Sequence, residues 1–213
     1  MIAMSIAERA LAAVARQLGQ PSGLAGRAVG RSSTVATGRL WSLRSPPRIA
    51  DQARRRDIGF GGGVGLDTLL GRGVAVVHGV EMSETMLAEA KRRFSEPIAR
   101  GRLRLHSGRM EDLPFDDSAL DAIISTNTIY FVPDLAAALK ELARVLRPGG
   151  RLVLGVGDPG QMSKMPFTRH GFRLRPIDEL VPAIREAGFD RIEDKRVGDG
   201  QGAAHLLVGE LPG

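Results

Sequence analysis

At 213 residues, with 43% hydrophobic and 25% charged residues, the chain suits one domain with a real core and is too apolar to be disordered throughout. It contains no cysteine, which excludes disulfides, zinc–thiolate centres and a thiol nucleophile, and fits a reducing cytoplasm. The net charge of +6 is uneven: residues 1–56 hold ten arginines against two acids, Glu8 and Asp51, while the remainder holds 20 basic against 22 acidic residues. An arm of that kind can meet nucleic acid, anionic lipid or a phosphorylated substrate. Without aromatic interleaving, however, it reads better as a solubilising leader, and nucleic acid is not the expected partner. No apolar run reaches the roughly 18 residues that span a bilayer. Glu8 and Arg9 interrupt the apolar start, which argues against a secretory signal.

In chain order, Ile6, Leu11, Ala12, Val14, Ala15 and Leu18 recur at helical spacing and predict a helix within residues 1–19. Residues 20–50 read as loop, punctuated by Pro21-Ser22-Gly23 and Pro46-Pro47, with Trp41 expected to pack on the main domain. The expected organisation is a helical and loop segment over 1–50 that covers the site, and one domain over 51–213. There, strand-like runs at Val74–Val80, Leu103–Leu105, Ala122–Ser125, Arg151–Val156, Arg191–Val197 and Ala204–Leu207 alternate with helical ones. The helices are Ser83–Arg93, capped by its serine; Leu135–Leu146, stopped by Arg147-Pro148-Gly149-Gly150; and Pro176–Ala187, closed by Gly188. Such alternation predicts a three-layer α/β/α Rossmann-like sandwich around a mostly parallel seven-stranded sheet.

The chemistry concentrates in Asp57-Ile58-Gly59-Phe60-Gly61-Gly62-Gly63-Val64-Gly65. Glycines there let backbone approach a ligand that any Cβ would push away. No Gly-Lys-Ser/Thr follows, so a P-loop is excluded. The third glycine of a dinucleotide fingerprint is missing, which disfavours a nicotinamide-dependent oxidoreductase. Glu81 stands eighteen residues after Gly63, at the end of the next apolar run, where a carboxylate can accept hydrogen bonds from both hydroxyls of a ribose. Together the two features point to a nucleoside-containing cofactor.

Asp57-x-Gly59-x-Gly61-x-Gly63 resembles the first motif of class I S-adenosylmethionine-dependent methyltransferases of the type-11 small-molecule group. Val80-Glu81-Met82-Ser83-Glu84-Thr85-Met86-Leu87 is similar to their second motif. Glu111-Asp112-Leu113-Pro114-Phe115, Leu120-Asp121-Ala122 and Leu146–Leu152 resemble the following ones, in order and spacing. The resemblance covers roughly residues 57–155. It implies S-adenosylmethionine as cofactor, with Asp57, Gly59, Phe60, Gly61 and Gly63 under its methionine and ribose portions. It likewise implies Glu81 on the ribose hydroxyls, Met82 on the adenine face, and Arg109, Met110 and Glu111 at the adenine edge. Ser125, Thr126 and Asn127 would face the methionine end and a small-molecule acceptor.

Two departures stand out. Relatives have an apolar central strand before the first motif, whereas here Arg54-Arg55-Arg56 precede Asp57. Either the first strand is unusually short or the sequence has drifted at its entry, since buried charges are costly unless paired or able to reach water. Arg109 replaces an aspartate and cannot accept a hydrogen bond from the adenine amino group. These two support a rival reading, a non-catalytic nucleoside- or partner-binding protein; the basic arm supports another, an RNA-directed methyltransferase. Methyl transfer from a sulfonium needs mainly alignment of the acceptor, exclusion of water and, for some acceptors, loss of a proton. His170, in the insert after the fifth strand of the domain, is the first candidate proton acceptor and Tyr130 the second. His78, His106 and His205 read as structural, Glu89, Arg92 and Arg93 as the wet face of a helix, and no spacing suggests a metal. Sequence alone leaves the oligomeric state and the acceptor open.

Overall fold

The structure, a computed structural model, describes residues 6–19, 22 and 55–213. Apart from Ser22, the loop expected over 20–50, with its Trp41, lies outside the described residues, as does Arg54. Seven strands form one sheet: β1 (Arg55–Ile58), β2 (Val77–Glu81), β3 (Leu103–Ser107), β4 (Leu120–Thr126), β5 (Leu146–Gly157), β6 (Asp190–Val197) and β7 (Ala204–Glu210). Their order is β3-β2-β1-β4-β5-β7-β6, with only β7 antiparallel to its neighbours. The helices are α1 (Ile6–Gly19), α2 (Val64–Gly71), α3 (Glu84–Arg93), α4 (Ser95–Ala99), α5 (Leu135–Val145), α6 (Pro159–Met162) and α7 (Ile177–Glu186). This is the expected three-layer sandwich, mostly parallel.

Local chemistry explains where the long helices begin and what they bury. The Asp134 carboxylate accepts a hydrogen bond from the Ala137 amide at 3.0 Å and starts α5. Ala138, Leu139, Leu142 and Val145 then form one stripe and disappear from solvent against the sheet. Ser83 starts α3 in the same way, through the Met86 amide at 3.3 Å. Two apolar cores result. Leu66 and Leu69 of α2 and Leu87 and Ala90 of α3 share one with Val77 and Ile124, while α5 and α7 share the other with Ile58, Val80 and Ile123.

Of the arginines before Asp57, Arg56 is accommodated by a short strand and a specific neighbourhood. β1 has four residues, and the Arg56 side chain is only 4% exposed. Its guanidinium lies over the Phe115 ring, 5.0 Å from the centroid, a favourable cation–π contact in a desolvated place. His78 and His106, side by side on β2 and β3, share a 2.9 Å hydrogen bond and both meet Phe115 edge-on. Burial, with the Arg56 and Arg104 charges nearby, holds the His106 pKa below the usual imidazole value.

One boundary differs from the sequence expectation. Instead of ending a helix at Leu146 and turning through Arg147–Gly150, the chain enters β5 at Leu146 and carries those residues as a bulge. Two steps along β4, Leu120 to Ala122, face five along β5, Leu146 to Arg151. Gly149, at φ 71°, donates to the Leu211 and Pro212 carbonyls at 3.1 and 3.2 Å, and the Leu211 amide donates to Gly150 at 2.9 Å. Those partners come from the far end of the chain, which the Pro-Gly-Gly signal does not reveal.

Removing the α5 cap should be measurable in isolation. Asp134→Ala is expected to cost about 1 kcal/mol in urea denaturation and Asp134→Ser to restore most of it; equal stability of the two variants would assign the helix start to packing alone.

Candidate active site

The order β3-β2-β1-β4 reverses direction between β1 and β4, and the loops leaving the carboxyl ends of these strands therefore meet above one crevice. The glycine turn follows β1, Met82 and Ser83 follow β2, Arg109–Glu111 follow β3, and Asn127 follows β4. Gly59, Gly61 and Gly63 all have positive φ, at 71°, 47° and 79°. At Gly59 a Cβ would strike the Thr128 side chain, whereas at Gly61 it would meet nothing within 4 Å. The turn is thus tight against the segment that follows β4 at Gly59 and open at Gly61.

Glu81 is the centre of this arrangement. Its Oε2 accepts a hydrogen bond from the Gly61 amide and its Oε1 one from the Ser83 amide, each at 2.9 Å. One carboxylate therefore ties the glycine turn to the start of α3. Asp57 lies buried beside it on β1. Burial, reinforced by the charge of Glu81, pushes the Asp57 carboxyl up to about 7. Glu81 is also raised, again by burial, and its amide donors oppose the shift.

The other residues singled out from sequence fall into different settings. Phe60 and Met110 are buried in the two cores. Arg109 is half-exposed, with its Nε 3.8 Å from the Glu111 carboxylate. Ser125 is buried and donates to the Ile58 carbonyl at 2.8 Å, so its hydroxyl joins β4 to β1. Thr126 ends β4, and Asn127, at φ 57°, donates its amide to the Gly155 carbonyl at 2.8 Å. Tyr130 is buried, its hydroxyl accepting from the Gly157 amide and 3.4 Å from the Asn127 Oδ1. Burial raises its phenol well above the ordinary value. His170 instead lines a cleft of about 880 Å³ together with Arg16, Gly19, Met82, Thr85 and Phe131. Met82 to Thr85 join this cleft to the carboxyl end of β2, while Gly59 to Gly63 are not part of its wall.

Sequence reasoning overlooked two participants. Thr128 fills the space behind Gly59, its Oγ1 3.4 Å from the Gly59 carbonyl. Arg93 reaches the Gly62 carbonyl at 2.8 Å from the last turn of α3. Neither contact has a local signature, because the partners lie 69 and 31 residues away.

Comparisons with known proteins agree on the fold's kin. A family model described as a methyltransferase domain matches residues 56–154. The uncharacterized methyltransferase YdaC of Bacillus subtilis is 30% identical over 138 residues, covering 64% of this chain and 71% of that protein. The O-methyltransferase cnsE of Penicillium expansum is 29% identical over 143 residues, 64% of this chain and 52% of cnsE, so the chain spans about half the length of that relative. In structure, the chain superposes with TM-score 0.74 and 22% identity on a chain from the complex of the Haloferax volcanii Trm112 methyltransferase activator with a methyltransferase, covering 99% of this chain and all of that one.

The raised Asp57 pKa makes a signed prediction. Folding favours its protonated form, so the stability it contributes is complete below the unfolded carboxyl value near ~4 and is lost as pH rises through about 7. Urea denaturation of the ligand-free protein should show stability falling between about pH 4 and pH 7 and levelling off above that. Asp57→Asn should flatten that slope; an unchanged slope in the variant would place its origin elsewhere.

Proposed function

Since this chain belongs to the class I S-adenosylmethionine-dependent methyltransferases, in the type-11 group, we propose that it transfers a methyl group from S-adenosylmethionine to a small-molecule acceptor. The observation that carries the reading is the carboxylate of Glu81 beside a glycine turn whose Gly61 faces open space. A ligand with a vicinal diol and a flat base fits that setting, since an acid can accept from both hydroxyls while bare backbone admits close contact. Relatives named as O- and C-methyltransferases support a small-molecule acceptor.

In this reading Glu81 holds the ribose hydroxyls and Met82 packs on the adenine. Arg109, Met110 and Glu111 border the adenine edge, the Arg109 Nε lying 3.8 Å from the Glu111 carboxylate. Asp57, beneath the glycine turn, offers negative charge toward the methionine end, and Thr126 and Asn127 face the same end from β4. When bound, the cofactor supplies a methyl group activated by its sulfonium. The chain aligns the acceptor, keeps water away and takes up the acceptor's proton. His170 is the proposed proton acceptor because its ring lines the cleft, whereas the Tyr130 hydroxyl is occupied by Gly157 and Asn127. Helix α1, which supplies Arg16 and Gly19 to the same cleft, acts as part of a cover formed by the 1–50 segment over the 51–213 domain. Among the described residues no helix is long and apolar enough to cross a membrane, and a cysteine-free chain suits the cytoplasm.

Calorimetric titration with S-adenosylmethionine and S-adenosylhomocysteine tests the cofactor. Glu81→Ala is expected to weaken binding about 100-fold, two charge-assisted hydrogen bonds being worth ~3 kcal/mol. Failure of the parent protein to bind either compound at millimolar concentration would overturn the reading. With an acceptor in hand, His170→Gln should lower kcat by about 100-fold or more while leaving S-adenosylhomocysteine affinity intact. An unchanged kcat would remove His170 from the chemistry.

A further inference from the structure

The glycine turn has a further support, from the end of α3. Three consecutive glycines, Gly61 to Gly63, give this segment wide backbone freedom, and two of them adopt left-handed conformations. From the last turn of α3, Arg93 donates through Nη1 to the Gly62 carbonyl at 2.8 Å and through Nη2 to the Asp67 carboxylate on α2. Its guanidinium stacks over Phe94, 4.9 Å from the ring centroid. The buried Phe94 ring stands where a Cβ on Gly63 would be, Cε2 lying 2.9 Å from that point. Helical periodicity assigns Arg93 to the solvent face, and its side chain is indeed 45% exposed. Yet it joins three elements at the turn.

We propose that Arg93 is a positioning residue for the cofactor: by clamping Gly62 and Asp67 together it holds the glycine turn in its binding shape before any ligand arrives. The proposal rests on the cofactor reading above. An exposed ion pair adds little to global stability, because water and salt screen it. The same contacts on a mobile turn act locally, since each conformation they remove is one that binding need not freeze. The two-pronged geometry requires a guanidinium: a lysine ammonium reaches the carbonyl or the carboxylate as a point charge, without the fork.

The test uses the full chain with Arg93→Ala, Arg93→Lys and Asp67→Ala, read by S-adenosylhomocysteine calorimetry, unfolding temperature, and hydrogen exchange at the Gly61 and Gly63 amides, both of which donate hydrogen bonds. Arg93→Ala should weaken binding about five- to tenfold and speed exchange at those amides, with the unfolding temperature within about 2 °C of the parent. Arg93→Lys should recover part of both, and Asp67→Ala should resemble a partial loss. Unchanged affinity and exchange in Arg93→Ala would overturn the proposal, as would losses that simply track unfolding temperature across the variants. Absence of binding by the parent would defeat only the cofactor reading, and amide exchange in the ligand-free variants would then decide the brace.

Discussion

A carboxylate withdrawn from water must have hydrogen-bond donors, and at Glu81 those donors are the amides of Gly61 and Ser83. That requirement fixes three things together. The end of β2 is tied to the glycine turn, the turn is tied to the entry of α3, and the acid is presented at the reversal of strand order. Val80 adds a second tie through its carbonyl, which accepts from the Gly59 amide at 2.8 Å. With both β2 residues engaged, the glycines need no side chains to hold their course, and their bare backbone is left for a ligand.

The price of concentrating charge in one crevice appears in Asp57. Burial of an acid on β1, reinforced by the charge of Glu81 on the adjacent parallel strand, raises the Asp57 carboxyl to about 7. A cationic group arriving at that end of the crevice would release the proton, which makes affinity rise with pH across the same range. Arg56, one residue earlier, points to the opposite face of the strand and has its own surroundings, the Phe115 ring and the His78–His106 pair. Alternation along a strand thus separates an acid that serves the crevice from a base that serves the core.

Much of this was legible in the sequence because it is written in short-range patterns. The glycine spacing, the acid at the second strand end, the Ser83 cap and the stripe of α5 each depend on neighbours within a few positions. The contacts that escaped notice are long-range. Arg93 looks like any charged residue on a helix until α2 and the glycine turn are folded beside it, and Ser125 looks like a crevice residue until its hydroxyl finds the Ile58 carbonyl. The β5 bulge was missed for the same reason, its partners being Leu211 and Pro212. Tyr130 is a further case: its place after β4 is read from sequence, but the hydrogen bond its hydroxyl accepts from the Gly157 amide is long-range and is not.

The pairing of β1 with β4 has a kinetic meaning. β6 and β7 meet through a short hairpin, Val197 opposite Ala204, and can zip as soon as both exist. The Ser125–Ile58 bond instead closes a loop of 67 residues, an entropic cost that falls before any contact across the seam repays it. The crevice lies on that seam. A ligand seated there bridges the two halves of the sheet and adds its binding energy to a pairing that closes a longer loop than the β6–β7 hairpin does.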